Sequence, residues 1–274
     1  MWENLTKDKL DRAYNNSLAV TNSAEIIEGW MQASAQVREV VKGELDIGYG
    51  PHPRQSYDYF SAGENSPILV YIHGGFWQFR SKEDFTFIVP PLMDLGFSVA
   101  MLGYRLAPDS TMDQIIEDIR AGLSAIEVKV RDERGSFPGL HLLGWSAGAH
   151  LVASVLNEPN VIDGICISGV YDLEPIRHCY VNDKLHLNLE TSLENSPILK
   201  TNHFGKTMDL FVGSAELSHM QGQTTHFYEY RQQNSQPGKF QLLNGFNHYT
   251  IFDELVKADG AIHKAIKERA GLIR

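Results

Sequence analysis

Leu140-His141-Leu142-Leu143-Gly144-Trp145-Ser146-Ala147-Gly148 is an apolar, strand-like run that ends in a G-x-S-x-G pentapeptide. The two glycines answer a steric problem. A serine on a tight strand-to-helix turn is held in strained backbone geometry, where neighbouring side chains would collide. Glycine on either side removes the collisions and leaves the serine Oγ exposed. Downstream, Ala149, Leu151, Val152, Ala153 and Val155 suit a helix packed under a sheet. Five letters also describe an ordinary Gly/Ser turn, so the reading depends on what the rest of the chain supplies.

It supplies a second turn. Pro67-Ile68-Leu69-Val70-Tyr71-Ile72 is almost wholly apolar, as expected of a central strand covered on both faces. It runs into His73-Gly74-Gly75-Phe76-Trp77. A Gly-Gly pair after a buried strand lets backbone N–H groups point at a ligand without Cβ interference. With the amide of the residue after the serine, these form a candidate oxyanion hole: Gly74, Gly75 and Ala147. Each such donor is typically worth about 3–4 kcal/mol to a tetrahedral intermediate.

A nucleophilic serine needs a general base and an orienting acid, in the chain order Ser, acid, His. Phe240-Gln241-Leu242-Leu243 reads as the last strand, and His248 follows the turn Asn244-Gly245-Phe246-Asn247. The penultimate strand is Met208-Asp209-Leu210-Phe211-Val212-Gly213, and Glu216 lies in the loop after it, placed to accept the histidine Nδ1–H. Asp172 follows the preceding strand and competes for the role.

The 274 residues suffice for one α/β domain, and the 43% hydrophobic content is ordinary for a globular chain. A net charge of −10, from 24 basic and 34 acidic residues, argues against a nucleic-acid surface. The N-terminus lacks the basic and apolar regions of a secretion signal, and no apolar run approaches the ~18–20 residues of a membrane span. Cys166 and Cys179 do not make a disulfide framework, so reduced thiols and a cytoplasmic location are expected. There is no phosphate-binding loop, no H-E-x-x-H and no C-x-x-C, and the eleven histidines lack metal-ligand spacing. Neither a cofactor nor a metal is expected.

Residues 1–40 look helical, with an interruption at Asn15-Asn16-Ser17, and 44–62 suggest two strands. Strand and helix signals then alternate: strands near 67–72, 97–102, 140–143, 161–167, 208–212 and 239–243, with helices near 83–94 and 219–233 among those between and after them. Such alternation implies a mostly parallel central sheet with helices on both faces, in a single domain over 1–274. Residues 172–203 are loop-rich and break the pattern, which makes them a candidate cap.

The motif set resembles the arylformamidase (kynurenine formamidase) branch of the α/β-hydrolase superfamily, near the hormone-sensitive-lipase-like esterases. The resemblance is carried by Tyr14-Asn15-Asn16, by Ser34-Ala35 with Val37-Arg38, by Tyr49-Gly50, and by His73 to Trp77 with Lys82 and Asp84-Phe85. Further along it is carried by Tyr104-Arg105-Leu106-Ala107-Pro108, by Ser168 to Leu173, by Asn182, Leu185 and Ser196-Pro197, and by Asn247-His248. The chain departs from the pattern with Glu216 where aspartate is commoner, Trp145 where histidine is frequent, and Ala149 where a third glycine is common. The resemblance implies the α/β-hydrolase fold and hydrolysis of an aryl formamide by Ser146, His248 and Glu216; a short-chain carboxylesterase is the alternative, and a non-catalytic binding module the remote one. The partner would be a small-molecule substrate, with no nucleic acid or membrane and with a homodimer allowed. Phe76, Trp77, Trp145, Tyr171 and Tyr180 are expected to border the substrate, and Arg177 to meet a substrate carboxylate.

Overall fold

The computed structural model describes residues 2–200 and 205–271. Eight strands are present: β1 Glu44–Gly48, β2 Ser56–Phe60, β3 Ile68–Ile72, β4 Ser98–Leu102, β5 Leu140–Trp145, β6 Val161–Ile167, β7 Met208–Gly213 and β8 Phe240–Leu243. They form one sheet in the order β1-β2-β4-β3-β5-β6-β7-β8. β2 runs antiparallel to β1 and β4, and from β4 to β8 every pairing is parallel.

The helices are α1 Lys7–Ala13, α2 Asn16–Ala19, α3 Ser23–Val40, α4 Val89–Asp94, α5 Met112–Arg134, α6 Ala147–Val155, α7 Glu174–Arg177, α8 Asn182–Leu185, α9 Leu189–Glu194, α10 Ser218–Gln233, α11 Asp253–Val256 and α12 Ala261–Arg269. They cover both faces of the sheet, and each face has its own apolar core. One core joins α5, α6 and α10 to β3, β4 and β5 through residues such as Ile119, Leu151, Phe227 and Val70. The other packs Trp30, Phe85, Phe252 and Ile266 on Tyr71, Leu143 and Ile165. β3, β4, β5 and β7 are buried along their whole length, which is why their sequences are apolar runs rather than alternations. This is the α/β-hydrolase fold expected above.

Three local expectations are refined. The single helix expected over 83–94 is a 3-10 stretch, Lys82–Ile88, followed by α4; Pro90 and Pro91 lack amide donors and so open a new helix rather than continue the old one. The interruption at Asn15-Asn16-Ser17 contains a helical turn of its own, α2, whose N-cap Asn15 accepts from the Leu18 amide at 2.9 Å. The expected cap holds three short helices, α7 to α9, and a 3-10 turn at Pro197–Leu199; residues 201–203 of that stretch lie outside the described residues. No helix among the described residues is long and apolar enough to cross a membrane.

The turn at Ser146 follows from close backbone approach. Ser146 sits at φ 56°, ψ −118°, in a region L-residues rarely occupy. A Cβ on Gly148 would lie 2.0 Å from the Ile72 carbonyl oxygen, and one on Gly144 would lie 2.4 Å from that of Gly148. Gly148→Ala should therefore destabilise the fold by about 3 kcal/mol or more, since backbone rather than a movable side chain is in the way. Gly135→Ala, at φ 69° with nothing within 4 Å, should cost only about 1–2 kcal/mol. Thermal or urea unfolding of the two variants checks the contrast, and equal losses would show that the elbow tolerates the extra carbon.

Candidate active site

Ser146 follows β5, Glu216 lies three residues past β7, and His248 lies five past β8. Backbone contacts bring the last two loops together. A Cβ on Gly213 would lie 2.1 Å from the Phe246 carbonyl oxygen, and the Ala215 amide donates to that same oxygen at 3.0 Å. The Ser146 hydroxyl reaches His248 Nε2 at 3.1 Å, and His248 Nδ1 lies 2.7 Å from Glu216 Oε2. Glu216 Oε1 accepts from the Gly213 amide at 2.8 Å and from Ser168 Oγ at 2.5 Å. The carboxylate is thus fixed by two donors while its other oxygen faces the histidine. Ser146 is 2% exposed and His248 3%, so water is largely kept from the pair.

Asp172, the competing acid, is not brought to the histidine. Its carboxylate accepts from the Glu174 amide at 2.9 Å, at the start of α7. Burial raises its pKa. The site thus holds serine, histidine and one glutamate in hydrogen-bond sequence, the arrangement that lets an imidazole take a hydroxyl proton while a carboxylate orients the ring.

The loop after β3 is pressed against the elbow. A Cβ on Gly74 would meet the Trp145 ring at 2.6 Å and its carbonyl oxygen at 2.8 Å; one on Gly75, at φ 112°, would lie 2.3 Å from the Phe79 carbonyl oxygen. The amides of Gly74 and Gly75 donate to no protein acceptor among the described residues. The amide of Ala147 opens α6, where a helix leaves its first donors unpaired. The loop is held from behind by the Tyr104-to-Pro108 motif: the Tyr104 hydroxyl donates to the His73 carbonyl at 2.7 Å, and the Ala107 amide donates to that of Trp77 at 2.9 Å.

The expected substrate wall divides. Phe76 and Tyr180 are partly exposed and meet edge to face with centroids 6.4 Å apart, the loop after β3 against the 172–203 segment. Trp77 and Tyr171 are 0% exposed and belong to the core, so neither presents a face to a substrate. Trp145 lies under the histidine, its Nε1 donating to the His248 carbonyl at 3.0 Å, and it packs among Trp30, Phe85 and Phe252. The strand pleat turns it away from the serine. Arg177 is engaged by Glu174, Nε to Oε2 at 2.9 Å, with Nη2 on the other oxygen. That pairing holds the Glu174 carboxyl down at about 2, and the guanidinium already has its carboxylate.

Two supporting groups act through partners far along the chain, a role their local sequence does not reveal. Ser168 holds the acid, and its position just past β6 looks like any strand end. His150, one helical turn beyond Ser146, accepts from Trp77 Nε1 at 3.2 Å through Nδ1 and bonds the Asn195 carbonyl at 2.8 Å through Nε2. One neutral ring therefore joins the elbow helix, the loop after β3 and the 172–203 segment. A cavity of about 450 Å³, bordered by Trp2, Tyr14, Asp172, His219, Gln223 and His226, opens beside α10. Among the described residues no group of three His, Cys, Asp or Glu side chains is placed to hold a metal ion.

Fold and site together define a serine hydrolase of the α/β-hydrolase class. A family model, BD-FAE, matches residues 57–236, and the chain belongs to that family. Kynurenine formamidase of Danio rerio is 28% identical over 98% of this chain and 98% of its own, and that of Salmo salar is 29% identical over 94% of each. Among solved structures, a thioesterase candidate from Silicibacter sp. superposes with a TM-score of 0.85 at 23% identity, covering 94% of this chain and 98% of the other, which is a likeness of fold.

Burial lowers the His150 pKa to about 4 and that of His73 to about 3. The unfolded chain would bind these protons near pH 6.5, before the folded one does. Their stabilisation is therefore complete above about pH 6.5 and is lost progressively as pH falls towards 4. Protonated His150 would also turn a second donor on the Trp77 N–H. The unfolding midpoint should fall between pH 7 and pH 4.5, with His150 contributing on the order of 3 kcal/mol. His150→Gln should start lower at pH 7 and lose less on acidification. An unchanged acid loss in that variant would remove His150 as its source.

Proposed function

We propose that the protein hydrolyses an aryl formamide of the N-formylkynurenine type to the free arylamine and formate. The observation that carries the reading is the Ser146–His248–Glu216 hydrogen-bond chain beside the unpaired Gly74 and Gly75 amides, in a chain alignable almost end to end with kynurenine formamidases. His248 removes the Ser146 proton as the hydroxyl attacks the formyl carbon. The amides of Gly74, Gly75 and Ala147 receive the tetrahedral oxygen. His248 then protonates the departing nitrogen, and water, activated by the same imidazole, releases formate from formyl-Ser146. Glu216 orients the ring throughout.

The near closure of Ser146 fits a one-carbon acyl group, and the Phe76–Tyr180 pair supplies flat apolar surface for an aromatic amine. Arg177, tied to Glu174, is given no part in binding. A carboxylesterase would use the same three side chains, so the separating measurement is kcat/KM for N-formylkynurenine against p-nitrophenyl acetate. The formamide should be the better substrate, and Ser146→Ala should leave less than a few per cent of kcat on either. A clear preference for the ester would transfer the chain to the esterase reading.

Glu216→Gln keeps the shape of the acid and removes its charge. It should lower kcat by roughly 10⁴, as loss of the orienting carboxylate does in serine triads. Asp172→Asn, remote from the imidazole, should change kcat by no more than a few-fold. The reverse ranking would reassign the acid.

A further inference from the structure

α2 is fastened on both sides of the acid and base. On one side the Tyr14 hydroxyl accepts from Gln223 Nε2 at 3.1 Å, on α10, which begins two residues after Glu216. On the other, Ser17 Oγ and the Tyr249 hydroxyl are 2.9 Å apart, and Tyr249 directly follows His248. Asn16 lies between these fastenings. Leu18, about 200° further round the turn, is 65% exposed, so Asn16 faces inward, and it is 3% exposed.

Its carboxamide is the anomaly. Both Oδ1 and Nδ2 are buried, and neither has a hydrogen-bond partner among the described residues. Leaving a buried polar group unpaired costs about 1–3 kcal/mol, a cost that a leucine of similar size would avoid. Nor does the helix use it, because Asn15 is the N-cap. The Tyr14 and Ser17 bonds set this buried acceptor and donor between α10, which follows Glu216, and Tyr249, which follows His248.

We propose that the Asn16 carboxamide is a specificity determinant of the Ser146 site, whose Oδ1 accepts the N–H of the scissile formamide. This rests on the aryl-formamide reading. A formyl ester differs from the formamide in carrying an oxygen where the formamide has N–H. An acceptor at that place engages the amide and offers nothing to the ester. It also fixes the nitrogen so that, once the carbon is tetrahedral, the nitrogen lone pair can turn to the proton on His248 Nε2. Sites that pair a substrate N–H discriminate more sharply than apolar pockets do.

The experiment compares N-formylkynurenine with phenyl formate, which delivers the same acyl group, on the wild type and on Asn16→Leu and Asn16→Ala. The ratio of kcat/KM for formamide over ester should fall about 10- to 100-fold in both variants, the loss of one buried hydrogen bond. Ester turnover shows that each variant is folded. Parallel losses on the two substrates, or an unchanged ratio, would overturn the role of Asn16 while leaving the formamidase reading intact. A wild type that cleaves phenyl formate but not the formamide would overturn both.

Discussion

A contact between two stretches of backbone governs this molecule. The elbow helix comes so near β3 that the hydrogen on the Gly148 Cα takes the space where any side chain would strike the Ile72 carbonyl. Because β3 ends in the His73-Gly74-Gly75 turn, the same contact fixes how far the loop amides stand from Ser146. Gly74 against Trp145 completes the contact from the loop side, and Gly213 against Phe246 does the equivalent for the loops of Glu216 and His248. The distances within the site are thus set by main chain, which holds geometry better than long side chains with their own rotamers.

Behind this frame, two buried charged groups are held by their partners. The glutamate would be costly in an apolar setting, and the Gly213 amide and Ser168 hydroxyl offset that cost without competing for the oxygen that meets the imidazole. Lys82 repeats the principle at the sheet's edge. It is buried against Asp58 at 2.7 Å and Asp46 at 2.6 Å, tying the 3-10 stretch after the His73-Gly74-Gly75 turn to β1 and β2. Removing one member of such a set leaves an uncompensated buried charge, so these clusters specify the arrangement more than they stabilise it.

The parts legible in the sequence are those where chemistry is local. Glycine spacing announced the elbow and the loop because a missing Cβ is visible in a string of letters, and apolar runs announced strands covered on both faces. Chain order admits both Asp172 and Glu216, and the place of Glu216 after the penultimate strand favours it. The aromatic residues misled for a physical reason. Trp145 and Trp77 adjoin functional positions in sequence, but neighbours along a strand or tight turn point to opposite sides, and both serve as packing. Arg177 looked like a free cation because Glu174, its partner three residues back, is recognisable only once that segment is known to be helical. His150 and Ser168 act through groups 73 and 48 residues away, a relation that no local pattern encodes.

The triad residues and the N-terminal helices that pack beside them occupy separate stretches of chain. Ser146, the loop amides and Glu216 all fall within residues 57–236, the segment shared with the family, and His248 follows shortly after it. The groups fastened over them come from before it: Asp11, which accepts the Tyr180 amide at 2.7 Å, and Tyr14 and Ser17, which reach α10 and Tyr249. The N-terminal helices thus reach the 172–203 segment, α10 and Tyr249 through these polar contacts and pack Leu10 and Tyr14 into the core, whereas the frame beneath is fixed by main-chain approach. Changes in residues 2–22 act on these contacts and leave the main-chain frame in place. Changes at Gly74, Gly148 or Gly213 would disturb activation first.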